Sequence, residues 1–180
     1  MNEQLQQSFD RLEGTRRQVL GHLEGHDRGA LNRPRADGGW SALQVLHHVI
    51  AAESGTLRYV SRKMQGGTSL PRAGLASRLR LLGLQAAMVS PLRFKAPAVV
   101  AEVPEEIDPE EIDPEELRAR WNEVRTGWKT LLEAFPEEIL DRLVFRHALV
   151  GLMGLPDTLA FMQSHLEHHR RQVGRALGSG

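Results

Sequence analysis

The chain contains no cysteine. That excludes disulfides, thiolate metal sites and a cysteine nucleophile, so any thiol chemistry needs a thiol supplied by a second molecule. No apolar run approaches the length that spans a bilayer, and Met1 to Phe9 lacks the basic stretch and apolar core of an export signal. A cytoplasmic location with no membrane partner is the expectation. Net charge is absent too: 23 Lys and Arg stand against 23 Asp and Glu. With no basic recognition helix either, no nucleic-acid partner is expected. One absence is local, because Ser54 to Ala101 holds no Asp or Glu whereas Glu102 to Glu116 is densely acidic. Two neighbouring surface segments that offset each other account for this better than a dedicated anion site.

What is present describes a water-soluble globule. The 180 residues, 41% hydrophobic and 26% charged, suit one compact domain over 1–180. Leu5, Phe9, Leu12, Val19 and Leu23 recur in steps of three and four, with Arg16 filling one step. This predicts an amphipathic helix that ends near Gly25. Ser41 and Gln44 form a capping-box pattern after Trp40, opening a second helix whose face runs Val45, Val49, Ala52, Thr56 and Val60, widened by Leu46, Ile50 and Leu57. That helix fades at Gln65-Gly66-Gly67.

Residues 66–113 read as a long irregular crossover, with a short helix from Gly74 to Val89 and prolines at 71, 91, 97 and 104. Its end repeats Pro-Glu-Glu-Ile-Asp from Pro104 and Pro109 and Pro-Glu-Glu-Leu from Pro114, a local duplication too short for a solenoid. Asp113 as N-cap, Pro114 in the first turn and Glu116 as capping-box partner start a third helix with the face Leu117, Trp121, Val124, Trp128, Leu131 and Phe135. That spacing argues bundle core for both tryptophans. A less regular stretch follows Pro136, and a final helix runs from Asp157 or Thr158 to about Leu177. No period-two alternation persists, so no sheet is expected. The fold class is all-α, a four-helix bundle with a long crossover between helices 2 and 3.

The chemistry sits on two of these helices. The stripe Leu159, Met162, Leu166, Val173 and Ala176 has His169 where another apolar residue belongs, and His165 lies one turn earlier on the same face, with Gln172 beyond it. Two imidazoles buried without partners cost free energy, and a shared divalent cation offsets that cost. A third ligand must come from another helix, and the second helix supplies His47-His48; spacing alone does not choose between them. Leu166 after His165 departs from the zinc-protease pattern, which has Glu at that step.

Trp40-Ser-Ala-Leu-Gln-Val-Leu-His-His48-Val with Glu53, and Phe161-Met-Gln-Ser-His165-Leu-Glu-His-His169-Arg-Arg-Gln172-Val, resemble the two signatures of the DinB-like superfamily, and Phe145-Arg-His147 through Gly151 also fits. The resemblance implies a metal-binding four-helix bundle in which His48, His165 and His169 are the ligands, flanked by His47 and His168. It implies one divalent ion, zinc or nickel, and a homodimer. It also implies an enzyme such as a transferase of a low-molecular-weight thiol, activated at the metal, since superfamily members include bacillithiol- and mycothiol-dependent transferases and a mycothiol-dependent isomerase. Two alternatives accompany it: a hydrolase using metal-bound water with Glu53 as catalytic base, and a non-catalytic, stress-associated metal-binding protein. No organic cofactor is indicated.

Overall fold

A computed structural model describes residues 1–65, 70–72, 83, 113–147 and 151–178. Four long helices dominate: α1 (Glu3–Leu23), α3 (Ala42–Gln65), α4 (Pro114–Glu133) and α5 (Leu155–Ala176), with a short α2 (Arg28–Asn32) between the first two. Helix α1 packs on α5, α5 on α3 and α3 on α4, and α4 closes the ring against α1. Their inward stripes merge into one apolar core, in which Leu5, Leu12, Leu46, Ile50, Trp121, Trp128, Leu132, Leu159 and Leu166 are fully buried. The heptad-like spacing of each stripe is the cause, since each helix can cover its apolar face only against its neighbours. Among the described residues no helix is long and apolar enough to cross a membrane.

The helix starts follow their local chemistry. Ser41 and Gln44 form the expected reciprocal cap, with the Gln44 N–H donating to Ser41 Oγ at 3.2 Å and the Ser41 N–H to Gln44 Oε1 at 2.9 Å. Asp113 caps α4 by accepting from the Glu115 N–H at 2.9 Å. Helix α5 starts at Leu155, earlier than the expected Asp157 or Thr158, because Pro156 occupies its first turn, where a missing N–H costs nothing. On α4 the inward residue is Leu132, with Leu131 only partly buried, a drift natural to 3.6 residues per turn.

The expectation of no sheet needs a correction. Strands β1 (Leu143–His147) and β2 (Gly151–Gly154) form a two-stranded antiparallel ribbon pairing Phe145 with Met153 and His147 with Gly151. A register irregularity between Leu143 and Phe145 breaks the alternation that would have revealed it. The ribbon packs on α3 and α5, with Phe145 against Tyr59 of α3 and His147 against Phe161 of α5. It also ties down the described part of the crossover: the Leu143 N–H donates to the Pro71 carbonyl at 2.8 Å, and Arg142 to the Leu70 carbonyl at 3.1 Å. The rest of the crossover between Gly66 and Ile112, Gly83 apart, lies outside the described residues, as do the expected Gly74–Val89 helix as a whole and the proline-led repeats before Asp113.

Candidate metal centre

Helix α5 presents His165 and His169 one turn apart on the face that meets α3, and α3 presents His48 to the same place. One ring nitrogen from each of the three lies within 4.8 Å of the others, a group that could hold a metal ion. The ring centroids are 4.4 Å apart for His165 and His169, 4.9 Å for His48 and His169, and 5.4 Å for His48 and His165. His169 is buried, whereas His48 and His165 keep partial exposure, so the cluster lies at the edge of the core with a solvent-facing side. His47 and His168 stand beside it; His168 is exposed and meets His169 edge-on at 5.1 Å.

Electrostatics keep these rings neutral at pH 7. Burial pushes the His169 imidazole down to about 3, with the neighbouring His48 and His168 adding to the effect. Burial likewise holds His165 well below the ordinary imidazole range, assisted by charge repulsion from His169, His48, His168 and His147. His48 is lowered by burial and then by His47. A neutral imidazole keeps one lone pair for a ligand bond. Which nitrogen carries it is set at His169 by Gln172, whose Oε1 lies 2.8 Å from Nδ1 and accepts that proton, leaving Nε2 as the free donor of electrons. That Nε2 faces His165 Nε2 at 3.1 Å.

Two nitrogen lone pairs cannot face each other at that distance without a proton or a cation between them. Two ligands each roughly 2.0–2.1 Å from one ion are about 3 Å apart at ordinary coordination angles. The residues present therefore fit a divalent cation. The donor set is three imidazoles, with no carboxylate in the group among the described residues.

Aromatic rings flank the cluster. Trp40, just before α3, lies 5.2 Å from His48, and Phe161, one turn before His165 on α5, stacks on it at 5.8 Å and 26°. His147 of β1 packs on Phe161 at 4.5 Å. The turn-by-turn spacing of Phe161 and His165 is open to a sequence reading. The placement of His147 needs the ribbon.

Glu53 is placed elsewhere. Five residues beyond His48 it lies about 140° around the helix, buried against α4, where Trp121 Nε1 donates to Oε2 at 2.8 Å and Arg125 Nη2 donates to Oε1 at 2.7 Å. Burial pushes its carboxyl up, and the charge of Arg125 and the bond from Trp121 oppose that rise. Arg125 also faces Glu13 of α1 at 3.5 Å, and Arg16 bonds Glu13 at 2.9 Å. Sequence reasoning missed this network because Arg125 and Glu13 look like surface charges.

Comparison with known proteins agrees with this architecture. No curated protein matches the chain. Among solved structures, YfiT from Bacillus subtilis, described as a probable metal-dependent hydrolase with an unusual four-helix bundle topology, superposes with a TM-score of 0.58 at 19% identity, covering 100% of this chain and 91% of that one. TT2238, described as a four-helix bundle protein, gives a TM-score of 0.58 at 20% identity over 95% of this chain and 98% of its own. Identities this low speak for the fold alone. The family model of the DinB superfamily matches residues 11–173, nearly the whole bundle with both helices that carry the three clustered histidines, and the chain belongs to that superfamily.

Proposed function

We propose that the protein is a divalent-metal-dependent hydrolase whose metal, zinc or nickel, is held by His48, His165 and His169. The observation that carries this reading is the convergence of three neutral imidazole nitrogens within 4.8 Å at a partly exposed edge of the core. Three ligands leave a coordination position open, the arrangement of a catalytic site, whereas structural sites close with four. The description of YfiT as a probable metal-dependent hydrolase supports hydrolysis over other chemistry at the same centre.

A divalent cation held by these three histidines would supply Lewis acidity to an oxygen or sulfur atom. The chain's own residues supply the rest. Gln172 holds the Nδ1 proton of His169 and so fixes which nitrogen faces the centre. Phe161 and Trp40 pack beside the rings of His165 and His48 and help to hold their planes. Glu53 serves as a counter-ion inside the bundle, because acting as a base would require it to leave both Trp121 and Arg125.

The test is elemental analysis of untagged protein together with release of p-nitrophenol from p-nitrophenyl acetate, before and after chelation and reloading. About one metal per chain, lost in His48→Ala, His165→Ala and His169→Ala, with chelator-sensitive ester cleavage, is the expected result. No metal after reconstitution sinks the reading. Bound metal with consumption of a low-molecular-weight thiol but no ester cleavage makes the protein a thiol transferase instead. Bound metal that only raises thermal stability makes it a non-catalytic metal-binding protein.

A further inference from the structure

The charged network around Glu53 continues beyond the three helices it joins. Glu53 of α3 accepts from Arg125 of α4 at 2.7 Å, Arg125 faces Glu13 of α1 at 3.5 Å, and Thr15, two residues further along α1, accepts from Gln163 Nε2 of α5 at 2.8 Å. Polar contacts thus run from α3 to α5 the long way round the bundle, through α4 and α1. Glu53, Arg125 and Thr15 are all buried. At 1.5 Å per residue, Gln163 stands about 3 Å along its helix from His165, and Glu53 about 7.5 Å from His48. The two ends of this belt are the two helices that carry the clustered histidines.

A belt of this kind does what apolar stripes do poorly. Methyl groups pack nearly as well after a small slip of one helix along another, so an apolar core holds helices together without fixing their register closely. A buried ion pair or hydrogen bond is lost by the same slip. Nor does the chain connection fix α3 against α4, because residues 66–113 lie between them and a link that long constrains its ends weakly. A metal site, by contrast, tolerates only about 0.5 Å of misplacement in its ligands.

Resting on the reading of the histidine cluster as a metal centre, we propose that this belt sets the register in which His48 of α3 meets His165 and His169 of α5. Glu53, Arg125 and Thr15 are then positioning residues for the metal, although none belongs to the ligand group.

Zinc affinity and the visible absorption of the cobalt(II)-loaded full chain test this, the second because its bands follow coordination geometry. Glu53→Gln sets an amide NH2 group against one of its two donors and is expected to weaken zinc binding about tenfold and to change the cobalt spectrum. Thr15→Val, which keeps the shape but removes the acceptor, is expected to weaken zinc binding about threefold, with Thr15→Ser at the wild-type value. Leu132→Ala, a core truncation outside the belt, lowers the urea midpoint and is expected to leave both readings as in the wild type. If Glu53→Gln does not fold, the two Thr15 variants decide alone. Unchanged zinc affinity and cobalt spectrum in the belt variants overturn the proposal, as does a loss in Leu132→Ala as large as theirs, which marks general loosening. Both results leave the metal assignment standing. A wild-type chain that takes up neither metal overturns that assignment, and the proposal with it.

Discussion

Helix α3 carries the half-buried His48 and the buried Glu53 on different sides, and the company each keeps is opposite in kind. Glu53 meets unlike partners: a guanidinium and an indole N–H occupy its two oxygens, and a second carboxylate shares the guanidinium. His48 meets like partners, two further imidazoles that each offer a ring nitrogen within 4.8 Å of its own. The first cluster compensates its own charge and ties α1, α3 and α4 together. The second gathers three imidazoles that could hold a metal ion. Buried polarity that closes on itself sets helix register, whereas buried polarity left open points to a ligand.

The largest effect comes from breaking the closed cluster. Arg125→Met leaves Glu53 buried without its counter-ion and is expected to cost about 3–5 kcal/mol in urea unfolding. Adding Glu53→Gln to that variant should recover part of the loss; a double variant no more stable than the single one would show that the pair is not a unit. The open cluster responds in affinity instead. His169→Ala should weaken zinc binding by more than the roughly 100-fold upper range seen for supporting residues, with a smaller change in unfolding of the metal-free chain, both read by competition with a chromophoric chelator and by urea titration.

Gln172→Ala sharpens the contrast at the next level, because it removes the acceptor that fixes the His169 tautomer. A loss of about 10–100-fold in zinc affinity is expected, with Gln172→Glu, which keeps an acceptor, close to wild type. If both variants bind zinc like the wild type, the Nδ1 hydrogen bond does not orient the ligand.

Acid separates the two clusters by sign. In the folded metal-free chain His169 titrates at about 3 and His165 well below its ordinary range, while the unfolded chain protonates both near roughly 6.5. Between those values the unfolded state binds more protons, so this contribution is complete above pH about 6.5 and is lost as pH falls toward 3. Urea midpoints measured from pH 7.5 to 4.5 should therefore fall, and less steeply in the double variant His165→Gln/His169→Gln. An identical slope in both proteins would exclude these rings as its source. The smallest effect lies at the α3–α4 contact, where a Cβ on Gly127 would meet Leu57 Cδ2 at 2.7 Å. The flexible end of Leu57 can turn aside at about 0.5–1.5 kcal/mol, and alanine returns about 1 kcal/mol of helix propensity. Gly127→Ala should thus change stability by under about 1 kcal/mol, and a much larger loss would show a rigid contact.

Much of the bundle is legible in the amino-acid sequence. The stripes of α1, α3, α4 and α5 repeat every three or four residues because a helix turns every 3.6, and the Ser41–Gln44 box and Pro114 mark boundaries through local hydrogen-bonding chemistry alone. The pair His165 and His169 can be read for the same reason. The ribbon escapes such a reading because Leu143 and Val144 are both buried in succession, which erases alternation.

The sequence by itself therefore determined which four long segments are helical, which faces turn inward and which helix carries the histidine pair one turn apart, since all three follow from interactions within a few residues. The motif resemblance already named His48 beside the α5 pair, and the tertiary structure brings the three together; it alone decided that Glu53 belongs to Arg125 and Trp121 and that His147 reaches Phe161. Those pairings join residues far apart in the chain, and the angle at which packed helices meet, which no local pattern encodes, fixes them.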